Sequence, residues 1–321
     1  MLPLRKRLKR IRRFLYPLAL GPIKAWAKSF SDEECEVWAR RLGRIAYHSL
    51  AQSRIRACAN LHLAFGKSWS PEQIQTVAEK VFQNLIFNLL ECLRFDSLDD
   101  QQFLGKIEVE GWEYVEAAHR AGKGGIVVSG HIGNWELAPA YGAKRGYVVN
   151  VVAKRIYLES LDQKLVEMRE KMGVRTIYRD MSMRSMLRCL QRNDFLGIVP
   201  DQDVRRIAGI FVDFFGRPAH TPVGPALIAL ASGSPILMVR DIRMGSRHRI
   251  TFDPPVYADR HAPREEEVRR LVTHYTERLE EFIREHPDQW VWFHRRWRTQ
   301  PQQETQTQET FLMGNNVGPT G

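Results

Sequence analysis

Apolar residues recur along this chain at two different periods, and the change from one to the other divides it. From residue 31 to 95 the period is helical. Ile74, Val77, Ala78, Val81, Phe82, Leu85, Leu89 and Cys92 return every three or four residues, as on one face of a helix. Ser70-Pro71-Glu72-Gln73 opens that run, with Ser70 as the cap, Pro71 at the first position and Gln73 reaching back. The stripe reads as core.

From about residue 107 the period alternates. Short β-rich runs lie at 125–129, 147–153, 195–199, 235–240 and 249–252, with helical segments near 135–143, 158–171, 182–192 and 222–232 between them. Strands alternating with helices predict an α/β sheet covered on both faces, with ligands beyond the carboxyl ends of strands. A last helix is expected over about 264–285, where Val268, Leu271, Val272, Tyr275, Leu279, Phe282 and Ile283 share a face. The polar, low-complexity stretch 299–321 reads as a disordered tail.

Charge alters the picture at the N-terminus. The chain of 321 residues carries a formal charge of +11 and a pI near 9.7, which suits an anionic partner: nucleic acid, phospholipid headgroups or an acidic carrier protein. Residues 1–28 hold nine Lys/Arg and no acid. Their apolar stretch 14–23 is broken by Pro17, Gly21 and Pro22 and is shorter than the roughly 20 residues of a spanning helix. The segment reads as an interfacial membrane anchor, the alternative being a solvated or nucleic-acid-binding arm. Cys35, Cys58, Cys92 and Cys189 are scattered, so neither a zinc site nor a disulfide framework is expected.

The candidate chemistry sits in Ser129-Gly130-His131-Ile132-Gly133-Asn134-Trp135-Glu136, directly behind Ile126-Val127-Val128. On a regular helix the offset from His131 to Glu136 turns about 140°, and the two side chains would point apart. On a strand-to-helix turn, with Gly133 free in the backbone and Asn134 as helix cap, Glu136 can fold back onto the imidazole. A histidine so oriented is a general base, worth roughly 100- to 10,000-fold in rate. The following helix N-terminus offers free N–H groups to a phosphate or oxyanion.

These residues resemble a known family. "SGHIGNWE" is similar to the histidine–four residues–acid motif of glycerolipid acyltransferases, and its Gly-Asn-Trp interior and Glu resemble the lipid A biosynthesis acyltransferases. "IVPDQDVRRIAGIFVDFFGRPAHTPVGPALIAL", "HPDQWVWFHRRWR" and "NLHLAFGKSWSPEQI" resemble further blocks of that family, in order, over about residues 40–298. The resemblance implies a glycerol-3-phosphate acyltransferase-like fold: a central mixed sheet flanked by helices over 29–298, behind the 1–28 anchor. It implies His131 as the base that deprotonates an acceptor hydroxyl, with Glu136 as its orienting partner. The donor would be an acyl thioester, acyl carrier protein or acyl-CoA, and the acceptor a lipid A precursor or related glycolipid. The place would be the cytoplasmic face of a bacterial inner membrane.

Arg155, after the strand 147–153, matches an arginine that the family places there and could clamp a phosphate; Arg169 is a second phosphate candidate. Asp201, Gln202 and Asp203 follow the strand 195–199. Their acids position Arg155 or the acceptor sugar, or cap a turn; as paired acids they also suggest Mg²⁺ as the minor alternative. Acyl transfer requires no metal and no cofactor. Phe214, Phe215 and Gly216 border an acyl channel or pack in the core, and Trp290, Trp292 and Trp297 line a membrane interface or plug the end of the sheet. Within the enzyme class the alternative is a lysophospholipid or phosphatidylinositol mannoside acyltransferase using acyl-CoA. Outside it, the alternative is a nonenzymatic basic protein binding membranes or RNA, although the aromatics are not interleaved with Lys/Arg as in RNA recognition.

Overall fold

A computed structural model describes residues 21–179, 183–204 and 207–301. The first 20 residues of the expected anchor and residues 302–321 of the expected tail lie outside them. Residues 21–28 are helical. Three helices follow: α1 (Asp32–Ser49), α2 (Ala51–Phe65) and α3 (Pro71–Arg94). Ser70 caps α3 as its sequence predicts: Ser70 Oγ accepts from the Gln73 N–H, and Gln73 Oε1 accepts from the Ser70 N–H at 2.7 Å.

Beyond α4 (Asp100–Gly105) the chain alternates: β1 (Ile107–Glu110), α5 (Trp112–Arg120), β2 (Gly125–Val128), α6 (Leu137–Lys144), β3 (Val149–Ala153), α7 (Glu159–Lys171), β4 (Val174–Tyr178), α8 (Met183–Gln191) and β5 (Phe195–Ile198). A two-stranded antiparallel ribbon, β6 (Gly209–Asp213) and β7 (Pro218–Pro222), precedes α9 (Gly224–Ser232), β8 (Ile236–Met244), β9 (Arg247–Phe252) and α10 (Arg264–Glu285). The seven-stranded sheet has the order β1-β9-β8-β2-β5-β3-β4. It is mixed, as expected: β8 and β9 pair antiparallel, every other neighbouring pair parallel.

Alternating strand residues feed two cores, one on each face. Ile126, Val128 and Leu196 pack with α8, α9, α10 and the terminal tryptophans. Val149, Phe195, Leu237 and Val239 pack with α5, α6 and the end of α7. The stripe on α3 divides. Ile74, Ala78, Val81 and Phe82 enter the core, whereas Leu85, Leu89 and Cys92 line a cavity. No described helix is long and apolar enough to cross a membrane.

Candidate active site

Strands β2 and β5 lie side by side and parallel, with Val128 registered against Ile198. Each chain then leaves the same edge of the sheet, so the third residue beyond that pair is His131 on one strand and Asp201 on the other. Equal offsets from a parallel register place them together. His131 Nδ1 lies 2.7 Å from Asp201 Oδ1, and the His131 backbone N–H donates to Asp201 Oδ2 at 2.7 Å. Trp290 Nε1 donates to the same oxygen at 2.9 Å. The Asp201 side chain has no exposed surface, while His131 keeps 18% of its side chain accessible.

Two glycines make this approach possible. A Cβ on Gly130 would stand 2.5 Å from Leu279 Cδ1 and 3.2 Å from Asp201 Oδ2. Gly133 has φ +55°, and a Cβ there would meet the Asp241 carbonyl oxygen at 1.8 Å. At Gly133 an L side chain would have to displace the turn itself, whereas at Gly130 the end of the Leu279 side chain would have to give way.

The expected partnership of His131 with Glu136 is replaced by another. Glu136 takes a bidentate pair from Arg169, Nε to Oε2 at 2.8 Å and a terminal nitrogen to Oε1 at 2.6 Å. The fork geometry of a guanidinium matches a carboxylate in this way. The local turn brings Glu136 near enough for its charge to act on His131, but the hydrogen bond that orients the imidazole comes from Asp201. The helix also starts later than expected: α6 begins at Leu137, so Glu136 precedes its first turn. Asn134 divides its amide: Oδ1 accepts from the Glu136 N–H just ahead of the helix at 3.4 Å, and Nδ2 donates to Glu91 Oε2 at 3.0 Å. The turn's N–H groups are not free. Those of His131, Gly133, Asn134 and Glu136 donate to Asp201, the Gln289 carbonyl, Asp241 and Asn134 Oδ1.

The remaining candidates separate. Gln202 stands over the imidazole, its Nε2 3.4 Å from His131 Nε2 and 3.3 Å from His294 Nε2. Asp203 is buried and holds the segment that follows the terminal tryptophan block, accepting from the Thr299 N–H at 2.6 Å and its hydroxyl at 2.9 Å. It is a structural cap and does not line the cavity. Arg155 is exposed and stacks over the Tyr178 ring at 3.8 Å, outside the cavity wall. Arg169 lines the wall itself, together with Lys154 and Arg179, which sequence reasoning missed. Phe214 and Phe215 are core, packed on Trp290, Trp292 and Trp297. Of the three tryptophans, Trp290 reaches the site through Asp201. Asn60 in the early block pins the terminal block, donating to the Trp292 and His294 carbonyls at 2.6 and 2.7 Å.

Electrostatics follows from these contacts. Burial opposes charge on His131, but the Asp201 carboxylate and its hydrogen bond, with Glu136 adding, outweigh it and raise the imidazole above its ordinary value. Asp201 is buried too, yet His131 beside it holds its carboxyl well below the usual range. Burial and the neighbouring His131 push His294 down to about 4, so it stays neutral. An ionised Asp201 can only accept. The Nδ1 proton of neutral His131 therefore points at Asp201, and Nε2 carries the lone pair.

Behind the turn lies a second charged cluster. Arg243 pairs with Glu91 at 2.6 and 2.7 Å, and His248 bridges Asp241 at 2.9 Å and Glu91 at 3.0 Å. Asp241 in turn accepts from the Asn134 N–H at 2.8 Å, so this network grips the turn that carries His131 from its inner side.

In front of the turn is a cavity of about 880 Å³. Its wall holds His131, Gln202, Glu136 and Arg169, and is otherwise mostly apolar. A general base at the edge of a greasy chamber can activate a hydroxyl brought there by a lipid.

The model of the bacterial lipid A biosynthesis acyltransferases matches residues 6–299. Over 153 residues the chain is 29% identical to a phosphatidylinositol mannoside acyltransferase of Mycobacterium tuberculosis, covering 46% of this chain and 48% of that one. It thus spans about half the length of that relative. It is 24% identical over 300 residues to the lipid A biosynthesis palmitoleoyltransferase of Escherichia coli, covering 90% and 95%. Against the lipid A biosynthesis lauroyltransferase of the same organism it is 22% identical over 268 residues, covering 81% and 84%.

Proposed function

This chain belongs to the bacterial lipid A biosynthesis acyltransferase family, and from that premise we propose that it moves a fatty acyl chain from an acyl thioester to a hydroxyl of a lipid A-type glycolipid. The observation that carries the reading is the His131–Asp201 pair, 2.7 Å apart, with His131 on the wall of a mostly apolar cavity. His131 Nε2 takes the acceptor's hydroxyl proton as its oxygen bonds to the thioester carbonyl carbon. Asp201 holds the ring and stabilises the imidazolium that forms. Gln202, whose amide nitrogen lies 3.4 Å from Nε2, steadies the negative oxygen of the tetrahedral intermediate. The carbon–sulfur bond then breaks, and His131 returns its proton to the departing thiolate. Glu136 acts through Arg169, holding that guanidinium in the wall where Lys154 and Arg179 also stand. Those three cations suit the phosphates of a donor or acceptor headgroup.

Acyl carrier protein is the proposed donor, its acidity matched by the chain's charge of +11. The protein acts on the cytoplasmic face of the inner membrane, which residues 1–28 reach with their basic and apolar side chains. Ile23 and Trp26, exposed by 44% and 38%, support that placement. Two assays test these claims. Purified protein is offered labelled acyl carrier protein or acyl-CoA, each with a lipid A precursor or a lysophospholipid; transfer is expected from one donor, and unchanged turnover in His131→Ala removes the mechanism. Deletion of residues 1–28 should move the protein from the membrane fraction toward the soluble one, and full retention on membranes in high salt refutes the anchor.

A further inference from the structure

The chain's positive charge is not spread evenly over the molecule. Residues 1–28 and 37–71 together hold fifteen Lys/Arg and no acid, more than the whole net charge of +11, so the remainder is net acidic. The second of these stretches is α1 from Val37 onward, then α2 and the loop before α3. Along α1, Val37, Arg41, Arg44, Ile45 and His48 are all exposed, and their spacing puts them on one face. Cys35, Ala39, Gly43 and Tyr47 are buried on the other. The helix passes into α2 through a single residue, Leu50, and Arg54 holds that corner by donating to the Tyr47 and His48 carbonyls at 3.2 Å each. Two acids border the face, Glu36 paired with Arg40 and Glu79 with Arg44 at 2.9 Å, and both arginines stay exposed.

Bare aliphatic side chains stand in the same acid-free stretch. Ile55, Ile45 and Leu50, exposed by 65%, 60% and 53%, are three of the four most exposed large aliphatic residues among those described. The fourth, Leu89, is on α3 and lines the cavity that holds His131. The two regions are continuous. Ile86 lines the cavity and also packs beside Phe30 and Trp38 on the core of Cys35, Ala39 and Phe87. The Trp38 ring lies 5.1 Å from that of Trp26, and Arg41 stands over it at 5.5 Å. A face that mixes arginines, water-facing aliphatics and tryptophan matches the boundary of a bilayer, with cations at the phosphates, indoles at headgroup level and aliphatics against the acyl chains. An acidic protein surface would answer the arginines alone.

We infer that the α1–α2 corner is a second membrane-binding surface, distinct from residues 1–28, which seats Ile45, Leu50 and Ile55 in an anionic phospholipid bilayer with Arg41 and Arg44 at its phosphates. The inference rests on the membrane placement proposed above and is independent of which reaction the cavity performs. One contact tethers a protein; two fix how it faces the bilayer.

Sedimentation of the full chain with vesicles tests this, using phosphatidylglycerol with phosphatidylethanolamine against phosphatidylcholine alone. The wild type should bind the anionic vesicles. Ile45→Ser/Leu50→Ser/Ile55→Ser should lower that partition about tenfold or more. Arg41→Gln/Arg44→Gln should lower it roughly fivefold per arginine and flatten its decline with salt. All five positions are exposed, so circular dichroism and Tm should stay as in the wild type. A control, Met244→Ser/Tyr257→Ser, removes exposed apolar side chains outside the stretch and should bind as the wild type does. Arg10→Gln/Arg12→Gln/Arg13→Gln weakens the arm alone, and its loss should add to that of the corner variants. Unchanged partition in both corner variants while the arm variant loses binding overturns the inference and leaves the arm standing; so does an equal loss in the control. A second copy is the occupant if the serine variant turns a dimer into monomers, and an acidic carrier protein is if that binding falls while vesicle binding persists; either result refutes the bilayer. A wild type that binds neither vesicle sinks the corner and the arm together, whereas transfer to a detergent-dispersed acceptor tests the reaction separately.

Discussion

Two histidine–aspartate pairs stand on either side of one turn, and only one of them can work as a base. His131 meets Asp201 through Nδ1 and leaves Nε2 at the cavity with 18% of the side chain accessible. His248 meets Asp241 through Nδ1, but Glu91 closes on its Nε2 at 3.0 Å and only 3% of the side chain is accessible. Burial disfavours a charge on His248, yet the two carboxylates outweigh it and push its pKa up to about 9. Below about pH 9 it is a cation in a cluster with Arg243, Glu91 and Asp241. A histidine–acid contact is thus not by itself a catalytic signature. What decides is whether the second nitrogen faces a substrate or another acid.

The largest effect should come from removing the open imidazole. His131→Ala should lower kcat by roughly 10⁴, the upper range for general-base help, with circular dichroism unchanged; a rate near wild type would make the two histidines equivalent. In the wild type the base must be neutral. Because Asp201 raises His131 above its ordinary value, the acid limb of the rate profile should lie above pH 6.5.

Next is the acid that orients it. Asp201→Asn should cost about 100- to 1,000-fold in kcat and move that limb to lower pH, since the charge that raised the imidazole is gone. Glu136→Gln should lower kcat less than Asp201→Asn, and chiefly raise KM by releasing Arg169. The opposite ranking in a side-by-side pH–rate measurement would restore Glu136 as the orienting acid.

The closed pair should register in stability. His248 has a folded pKa of about 9 against an ordinary 6.5. Its stabilisation is therefore full below about pH 6.5 and is lost as pH rises through about 9, on the order of 3 kcal/mol. Denaturant titrations should show that decline, and His248→Gln should flatten it by lowering stability on the acid side. The glycine between the pairs should register in stability as well. Gly133→Ala forces an L residue into φ +55° with its Cβ 1.8 Å from the Asp241 carbonyl oxygen, so the cost should exceed the roughly 1–3 kcal/mol of backbone strain alone, read as a lowered Tm.

Much of this frame is legible in the sequence. The strand at Gly125–Val128, the histidine beyond its tip and the helix over Arg264–Glu285 follow from apolar period. Other elements escape it. β1 and β4 are the edge strands of the sheet, half-buried and carrying charged or polar side chains outward, so their alternation is weak. The ribbon β6–β7 has prolines at both ends of its second strand, which reads as loop. The polar positions of α3 escape too. Asn88 and Glu91 fall between the apolar positions of the stripe, and nothing in its period singles them out, yet they reach Gly133 and Arg243.

Local order determined the alternating layers, the strand-tip position of His131 and the basic arm, because the period of side chains and the sign of charge are set by near neighbours. The pairing of charges was decided by the tertiary structure alone. Asp201 lies 70 positions from His131, and Arg169 lies 33 from Glu136. Only the parallel register of β2 with β5 and the packing of α7 bring them within 3 Å. Where several acids surround one imidazole, burial and register choose among them, and neither is written in the spacing of the residues.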